Sequence, residues 1–305
     1  MNKKLPNIIV VLGPTASGKS NLAVHLAKKY NGEVVSADSR QVYKKLDIGT
    51  GKITKKEMQG VPHHMLDVVD PKKVYSVSDF QKKANKIIAA ILKRKHVPII
   101  CGGTGFYIQA LVDNIILPEV PPNPALRKSL ENKTDKELFL MLAALDLRRA
   151  ANIDLKNPRR LVRAIEIATH LGAVPEMKSD PKYTALQIGI STEDTILKNN
   201  IKTRLLKRIK NGMVEEAKEL HAQSVSYKRM ESLGLEYRYL ARYLQKKSPF
   251  DGAQGKQEMI EQLAQEIWKY AKRQKTWFKK DAGIQWFTLS QTEKIERTVE
   301  NFLLD

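Results

Sequence analysis

The chain has 305 residues, with 53 Lys and Arg against 33 Asp and Glu, giving a formal net charge of +20. That length allows one large domain or two smaller ones, and 42% hydrophobic residues support a real core, which excludes a fibrous or wholly disordered chain. The positive excess is spread along the chain rather than held in a tail, so it points to a folded surface for a polyanion, nucleic acid before an anionic membrane.

The apolar run "NIIVVL" (7–12) ends at Gly13-Pro14 and predicts a buried parallel strand rather than a signal peptide. No run approaches the about 20 apolar residues of a membrane span, so a cytoplasmic protein is expected. "GPTASGKS" (13–20) follows, and a helix from about Lys19 to Tyr30, with Leu22, Ala23, Leu26 and Ala27 on one face. "GEVVSADS" (32–39) reads as a second strand leading to Asp38. "SVSDFQKKANKIIAAILKRKH" predicts a strongly amphipathic helix, with Ser78 available to cap it. "VPIIC" (97–101) is a third buried strand running into Gly102-Gly103. Cys101 is the single cysteine, so an intrachain disulfide and a cysteine zinc cluster are both excluded.

"LPEVPPNP" (117–124), with its four prolines, interrupts the alternation of strand and helix, and helical patterns follow it. Strand character returns near "MKSDPKYT". Two more strands are expected, "ALQIGI" (185–190) and "IQWFTL" (284–289), and two long helices, about 197–221 and 256–279. The predicted class is α/β: a P-loop-type doubly wound parallel sheet from residues 1–117 and 186–305, with a helical insertion domain at 118–185.

Gly13, Gly18, Lys19 and Ser20 fit the phosphate-binding pattern, placed between a strand and a helix as that pattern requires. Backbone amides and the helix N-terminus favour phosphate oxygens, Lys19 adds a full charge, and the Ser20 hydroxyl suits Mg²⁺. The acidic residue that ATPases place at a nearby strand end is missing after "VPIIC". Asp38 is the nearest strand-end carboxylate. In a phosphate crevice it either holds metal or accepts a proton from an incoming nucleophile.

Arg204 and Arg208 lie four apart on a helix, where one could reach a diphosphate. In "WKYAKRQKTWFKK", Arg273 and Trp277 are four apart, as are Gln274 and Phe278, and such interleaving of bases and aromatics suits single-stranded RNA. At least one of the two aromatics is expected in the core. "NPRRLVRAIE" adds a basic patch in the insertion. His63-His64 has no third ligand at a telling spacing, and a hydrogen-bonded loop is the better reading than a metal site.

"GPTASGKS", "SADSRQVYKKLDIGTGK", "VPHHMLDVVDP", "CGGTGFYIQAL", "NPRRLVRAIE" and "AKRQKTWF" occur in that order, and together they resemble the bacterial tRNA dimethylallyltransferases over essentially the whole chain. "DSRQVY" followed by "GGTGFY" is the specific part; the phosphate loop alone is not.

The resemblance implies transfer of a dimethylallyl group from its diphosphate to the exocyclic amine of the adenosine 3′-adjacent to the anticodon. It implies Mg²⁺ as cofactor, the tRNA anticodon stem-loop and dimethylallyl diphosphate as partners, no membrane, and a monomer. By motif, Gly13, Pro14, Thr15, Ala16, Ser17, Gly18, Lys19 and Ser20 become the diphosphate loop, and Arg204 lies near the diphosphate. Asp38 becomes the general base, and Asp38, Ser39, Arg40 and Gln41 a tRNA-contact segment. Thr104 falls beside the target adenosine. Arg127 and Arg159, Arg160, Leu161, Val162 and Arg163 become tRNA contacts, to which the RNA-like pattern adds Arg273 and Gln274. No role attaches to "LGLEYR" (233–238). The alternative is a P-loop nucleoside or small-molecule kinase, which leaves the +20 charge unexplained; a non-catalytic RNA-binding protein is a third reading.

Overall fold

The computed structural model describes residues 4–304. Its strands are β1 (Asn7–Leu12), β2 (Gly32–Ser36), β3 (His63–His64), β4 (Val97–Gly102), β5 (Ile115–Ile116), β6 (Lys178–Ser179), β7 (Thr184–Ile190) and β8 (Ile284–Phe287). The chain divides into two compact units, one ending at Asn114 and resuming at Pro181, the other spanning Ile115–Asp180.

The larger unit holds a six-stranded sheet in the order β3-β2-β4-β1-β7-β8. Every neighbouring pair in it is parallel. β1 is central, and its alternate residues face opposite layers, as strand periodicity demands. Ile8, Val10 and Leu12 pack with Phe80, Ala84, Ile88 and Ile91 of the helix Val77–Lys93. Ile9 and Val11 pack with Leu22, Ala23 and Leu26 of the helix Lys19–Lys29. A strand buried on both faces needs the continuous apolar run that "NIIVVL" supplies. A further core joins the helices Asp194–Lys210, Met213–Ala222, Leu235–Leu244 and Gly255–Phe278.

Two local expectations are corrected. Ser76, not Ser78, caps the helix Val77–Lys93: its hydroxyl accepts from the Asp79 amide while Asp79 reaches back to the cap. The helix expected at 197–221 breaks between Lys210 and Met213, where Gly212 takes a left-handed φ of 97°.

The smaller unit carries the helices Pro124–Leu130, Asp135–Leu145, Leu147–Ala151 and Pro158–Leu171, with β5 and β6 pairing antiparallel. Glu166 is 2% exposed and accepts from Arg127 Nε (2.7 Å) and Nη2 (2.8 Å), Arg163 Nη1 (3.1 Å) and the Asn123 amide (2.9 Å). No helix among the described residues is long and apolar enough to cross a membrane.

At the sheet edge, Glu33 is 3% exposed and collects His64, Arg94 and His96. Burial alone would raise its pKa, but the hydrogen bonds from His64, Arg94 and His96 outweigh burial and hold it at about 2, against 4.5 unfolded. The linked stability is fully present above pH 4.5 and is lost as pH falls towards 2. Glu33→Gln should cost on the order of 3 kcal/mol at neutral pH. It should also flatten the acid limb of a stability-versus-pH curve. An unchanged acid limb in chemical denaturation would show that this cluster does not govern it.

Candidate active site

The site forms where β1, β2 and β4 end, because in a parallel sheet the loops leaving adjacent carboxyl ends must meet. Leu12 is paired with Gly102, and Ser36 with Cys101. The Ala37 amide donates to the Cys101 carbonyl (2.8 Å), and the Thr104 amide donates to the Ala37 carbonyl (3.3 Å). Gly13, Asp38 and Thr104 therefore leave neighbouring strands side by side.

The loop 13–20 is built to receive an anion. Gly18, at φ 85°, leads into the helix Lys19–Lys29, and no side chain caps that helix. Its first amides are open to a ligand, at the positive end of the helix. Ser17 is 3% exposed, yet among the described residues its hydroxyl has no hydrogen-bond partner. Buried hydroxyls are seldom left so, and a water or a ligand oxygen at the loop would satisfy it.

The loop lines a cavity of about 620 Å³ with Asn200, Thr203 and Arg204 on the helix Asp194–Lys210, and with Gly51, Glu193 and Leu289. Arg204 thus reaches the same cavity as Lys19 and Ser20. Burial lowers the pKa of Lys19 and Arg204 pushes the same way, while Cys101 and Asp38 pull against them. Burial raises the pKa of the Cys101 thiol to about 11, so it is no thiolate nucleophile.

Asp38 is half-buried. Its Oδ1 accepts from the Arg40 amide (2.8 Å) and the Gln41 amide (3.4 Å), which fixes the carboxylate to the turn 38–41. Oδ2 has no hydrogen-bond partner among the described residues, and a carboxylate oxygen in that state can take a proton. Thr104 Oγ1 accepts from the Ser39 amide (3.0 Å) and ties "GGTG" to the same turn. Asp38 also acts on Tyr270, whose hydroxyl is pushed up to about 12, chiefly by burial.

The residues expected from sequence occupy different settings. Lys19, Ser20 and Arg204 line the cavity, whereas Asp38 and Thr104 sit together at the neighbouring strand ends and are not part of its lining. Arg159, Arg160 and Arg273 are exposed, Arg273 beside the ring of Tyr270 at 5.8 Å. Two residues are corrected: Leu161 is fully buried in the core of the smaller unit, and Gln274 is 6% exposed with its carboxamide bonded to backbone. Neither side chain is free to touch RNA. Arg127 and Arg163 are bonded to Glu166, and both side chains stay partly exposed. Trp277 is 36% exposed, whereas Phe278 is buried in the core.

Sequence reasoning missed Glu216. Its carboxylate accepts from the amides of Asp47 (2.9 Å), Ile48 (2.7 Å) and Gly49 (2.9 Å) and from the Tyr237 hydroxyl. It thereby holds the loop that carries Gly51 to the cavity wall. It also gives "LGLEYR" a role through Tyr237. The signal, "DIGTGK" far upstream of "VEEA", has no spacing that a linear reading can use.

Fold and site define a phosphate-loop α/β protein in which an anion cradle and an available carboxylate share the ends of neighbouring strands. A family described as IPP transferase matches residues 41–281. The chain is 44% identical over 279 residues to tRNA dimethylallyltransferase 2 of Treponema denticola, covering 90% of this chain and 92% of that one. It is 36% identical over 306 residues to the tRNA dimethylallyltransferase of Bacillus subtilis, covering 97% and 95%. The crystal structure of the Bacillus halodurans tRNA isopentenylpyrophosphate transferase is similar over 98% of this chain and 97% of its own, at 32% identity and a TM-score of 0.73. The chain belongs to the IPP transferase family, the tRNA dimethylallyltransferases.

Proposed function

We propose that this protein transfers the dimethylallyl group of dimethylallyl diphosphate to the exocyclic amine of the adenosine 3′-adjacent to the anticodon in tRNA. The observation that carries the reading is the pairing of an anion-ready loop with the unpartnered Oδ2 of Asp38 at adjoining strand ends. The allylic carbon–oxygen bond breaks and its electron pair leaves with the diphosphate. The carbon–nitrogen bond forms, and the proton from the amine passes to Asp38. Lys19, the loop amides and Arg204 face the charge that grows on the leaving group. The adenine amine is a weak nucleophile because its lone pair is delocalised into the ring, so a positioned base counts. Pulling the base from its stack costs a few kcal/mol. The +20 surface offsets part of that through phosphate contacts, with Arg40, Arg159, Arg160 and Arg273 among the donors.

The donor set suits Mg²⁺. Among the described residues no three His, Cys, Asp or Glu form a metal cluster, but the exposed Ser20 hydroxyl sits at the loop where phosphate oxygens and water would complete the coordination. The ion would neutralise charge on the departing diphosphate, with Ser20 as its protein ligand. One chain carries every group named here, so the reading needs no second copy; it takes the protein to be a monomer acting on the anticodon stem-loop in the cytoplasm.

The test is mass spectrometry of unmodified tRNA incubated with the protein, dimethylallyl diphosphate and Mg²⁺. One dimethylallyl group per tRNA is expected. Phosphate transfer from labelled ATP to a nucleoside, with tRNA unchanged, would establish the kinase reading instead.

A further inference from the structure

We propose that Gln274 is a positioning residue: a strut that fixes the distance between the leaving-group cradle and the catalytic base. This rests on the reaction proposed above. Gln274 projects from the helix Gly255–Phe278, a third element belonging to neither half of the reaction centre. Its Oε1 accepts from the Thr15 amide at 2.9 Å, and its Nε2 donates to the Gly103 carbonyl at 2.7 Å. Thr15 lies in the phosphate loop. Gly103 precedes Thr104, whose hydroxyl oxygen accepts from Ser39, next to Asp38. A continuous path of hydrogen bonds and short backbone links thus runs from the cradle through Gln274 and Thr104 to the base.

The two backbone partners have opposite demands. The Thr15 amide needs an acceptor and the Gly103 carbonyl needs a donor. A carboxamide meets both with one planar group. A carboxylate fails at Gly103, an ammonium fails at Thr15, and asparagine is one methylene short. Because the carboxamide is buried, an unmet partner is costly and water does not readily replace it. Gly103 is part of the same device: a Cβ there would stand 2.4 Å from Gln274 Nε2, so a side chain at 103 would push the strut away. The requirement is for space, since no left-handed φ is involved.

Gln274 bonds to backbone on both sides, so it acts on the reaction only through where it holds Thr15 and Thr104. Misplacing reacting groups by about 1 Å costs on the order of 100-fold in rate. A strut and a tRNA contact therefore predict different losses.

The experiment compares Gln274→Glu, Gln274→Asn, Gln274→Ala, Gly103→Ala and the Gln274→Ala/Gly103→Ala double variant with wild type. It reads the single-turnover rate at saturating substrates, tRNA affinity, and melting temperature. Gln274→Glu, which keeps shape but loses the donor once its carboxyl ionises, should slow transfer by about 100-fold at a pH where it is ionised. Its tRNA affinity should stay within about twofold of wild type. Gly103→Ala should slow transfer comparably, reaching the contact from the other side. The double variant should be no slower than the slower single, because removing the strut makes room for the methyl group. Weakened tRNA binding at an unchanged rate would make Gln274 an RNA contact and overturn the proposal. So would lowered melting temperatures with full rates, or strictly multiplicative losses in the double variant. If one variant does not fold, the other side of the contact still decides. Absence of transfer by wild type would sink the reaction reading and the strut together; wild-type transfer with unimpaired variants would sink the strut alone.

Discussion

Asp38→Asn should lower kcat by about 10²- to 10⁴-fold while tRNA affinity changes little. The substitution keeps shape and retains an oxygen for the Arg40 and Gln41 amides, so the turn 38–41 survives. What it loses is an oxygen able to hold a proton. The amine nitrogen becomes cationic as it bonds to the allylic carbon, and without a base that charge builds up in the transition state. The interaction lost belongs to the transition state, so kcat and kcat/KM should fall together. Single-turnover transfer with enzyme in excess over tRNA gives the rate of the chemical step, steady-state turnover gives kcat, and filter binding gives the affinity. Turnover near wild type would remove Asp38 as the base.

Lys19→Ala should weaken diphosphate binding by roughly two orders of magnitude, equivalent to about 3 kcal/mol for a charge-assisted contact in a sheltered site. Lys19 sits between the Pro14 carbonyl, which accepts from its Nζ at 3.1 Å, and the cavity shared with Arg204. Its pKa is lowered by burial first, then by Arg204, so it holds its proton less firmly than a surface lysine. An incoming diphosphate supplies negative charge that favours the protonated form. Affinity should therefore be highest where the diphosphate is ionised and Lys19 still protonated, and fall as pH rises through the lysine's pKa. The variant should lose that alkaline fall. Calorimetric titration of diphosphate across pH checks both points, with tRNA affinity as the control. Equal losses for diphosphate and tRNA would indicate general disruption instead.

As candidates, these two residues are legible in the chain because each is marked locally. Lys19 is fixed by its spacing from Gly13 and Gly18, and Asp38 by following an apolar strand in "VVSADS". Arg204 was harder, since a helix rich in Lys and Arg offers many candidates, and only the cavity separates it from its neighbours. The segment "AKRQKTWF" displays Gln274 but not its surroundings. Periodicity on a 24-residue helix does not reveal that one polar position turns inward towards two loops. Leu161 was misplaced for the related reason that a basic segment, "PRRLVR", still needs an apolar face for its own core.

The sequence by itself determined the local physics: the strand and helix periods, the anion loop with its cation, the glycines at strand ends, and the overall positive charge. It also determined the family, since the ordered motifs are specific as a set. Only the tertiary structure decided which polar groups are spent on the protein and which remain for a ligand. Glu166 pairs with Arg127 and Arg163 while leaving both partly exposed, Glu216 holds the 47–49 loop, and Gln274 joins residues 259 and 171 positions away. Hydrogen-bond satisfaction depends on partners brought together by folding, and distance along the chain carries no record of them.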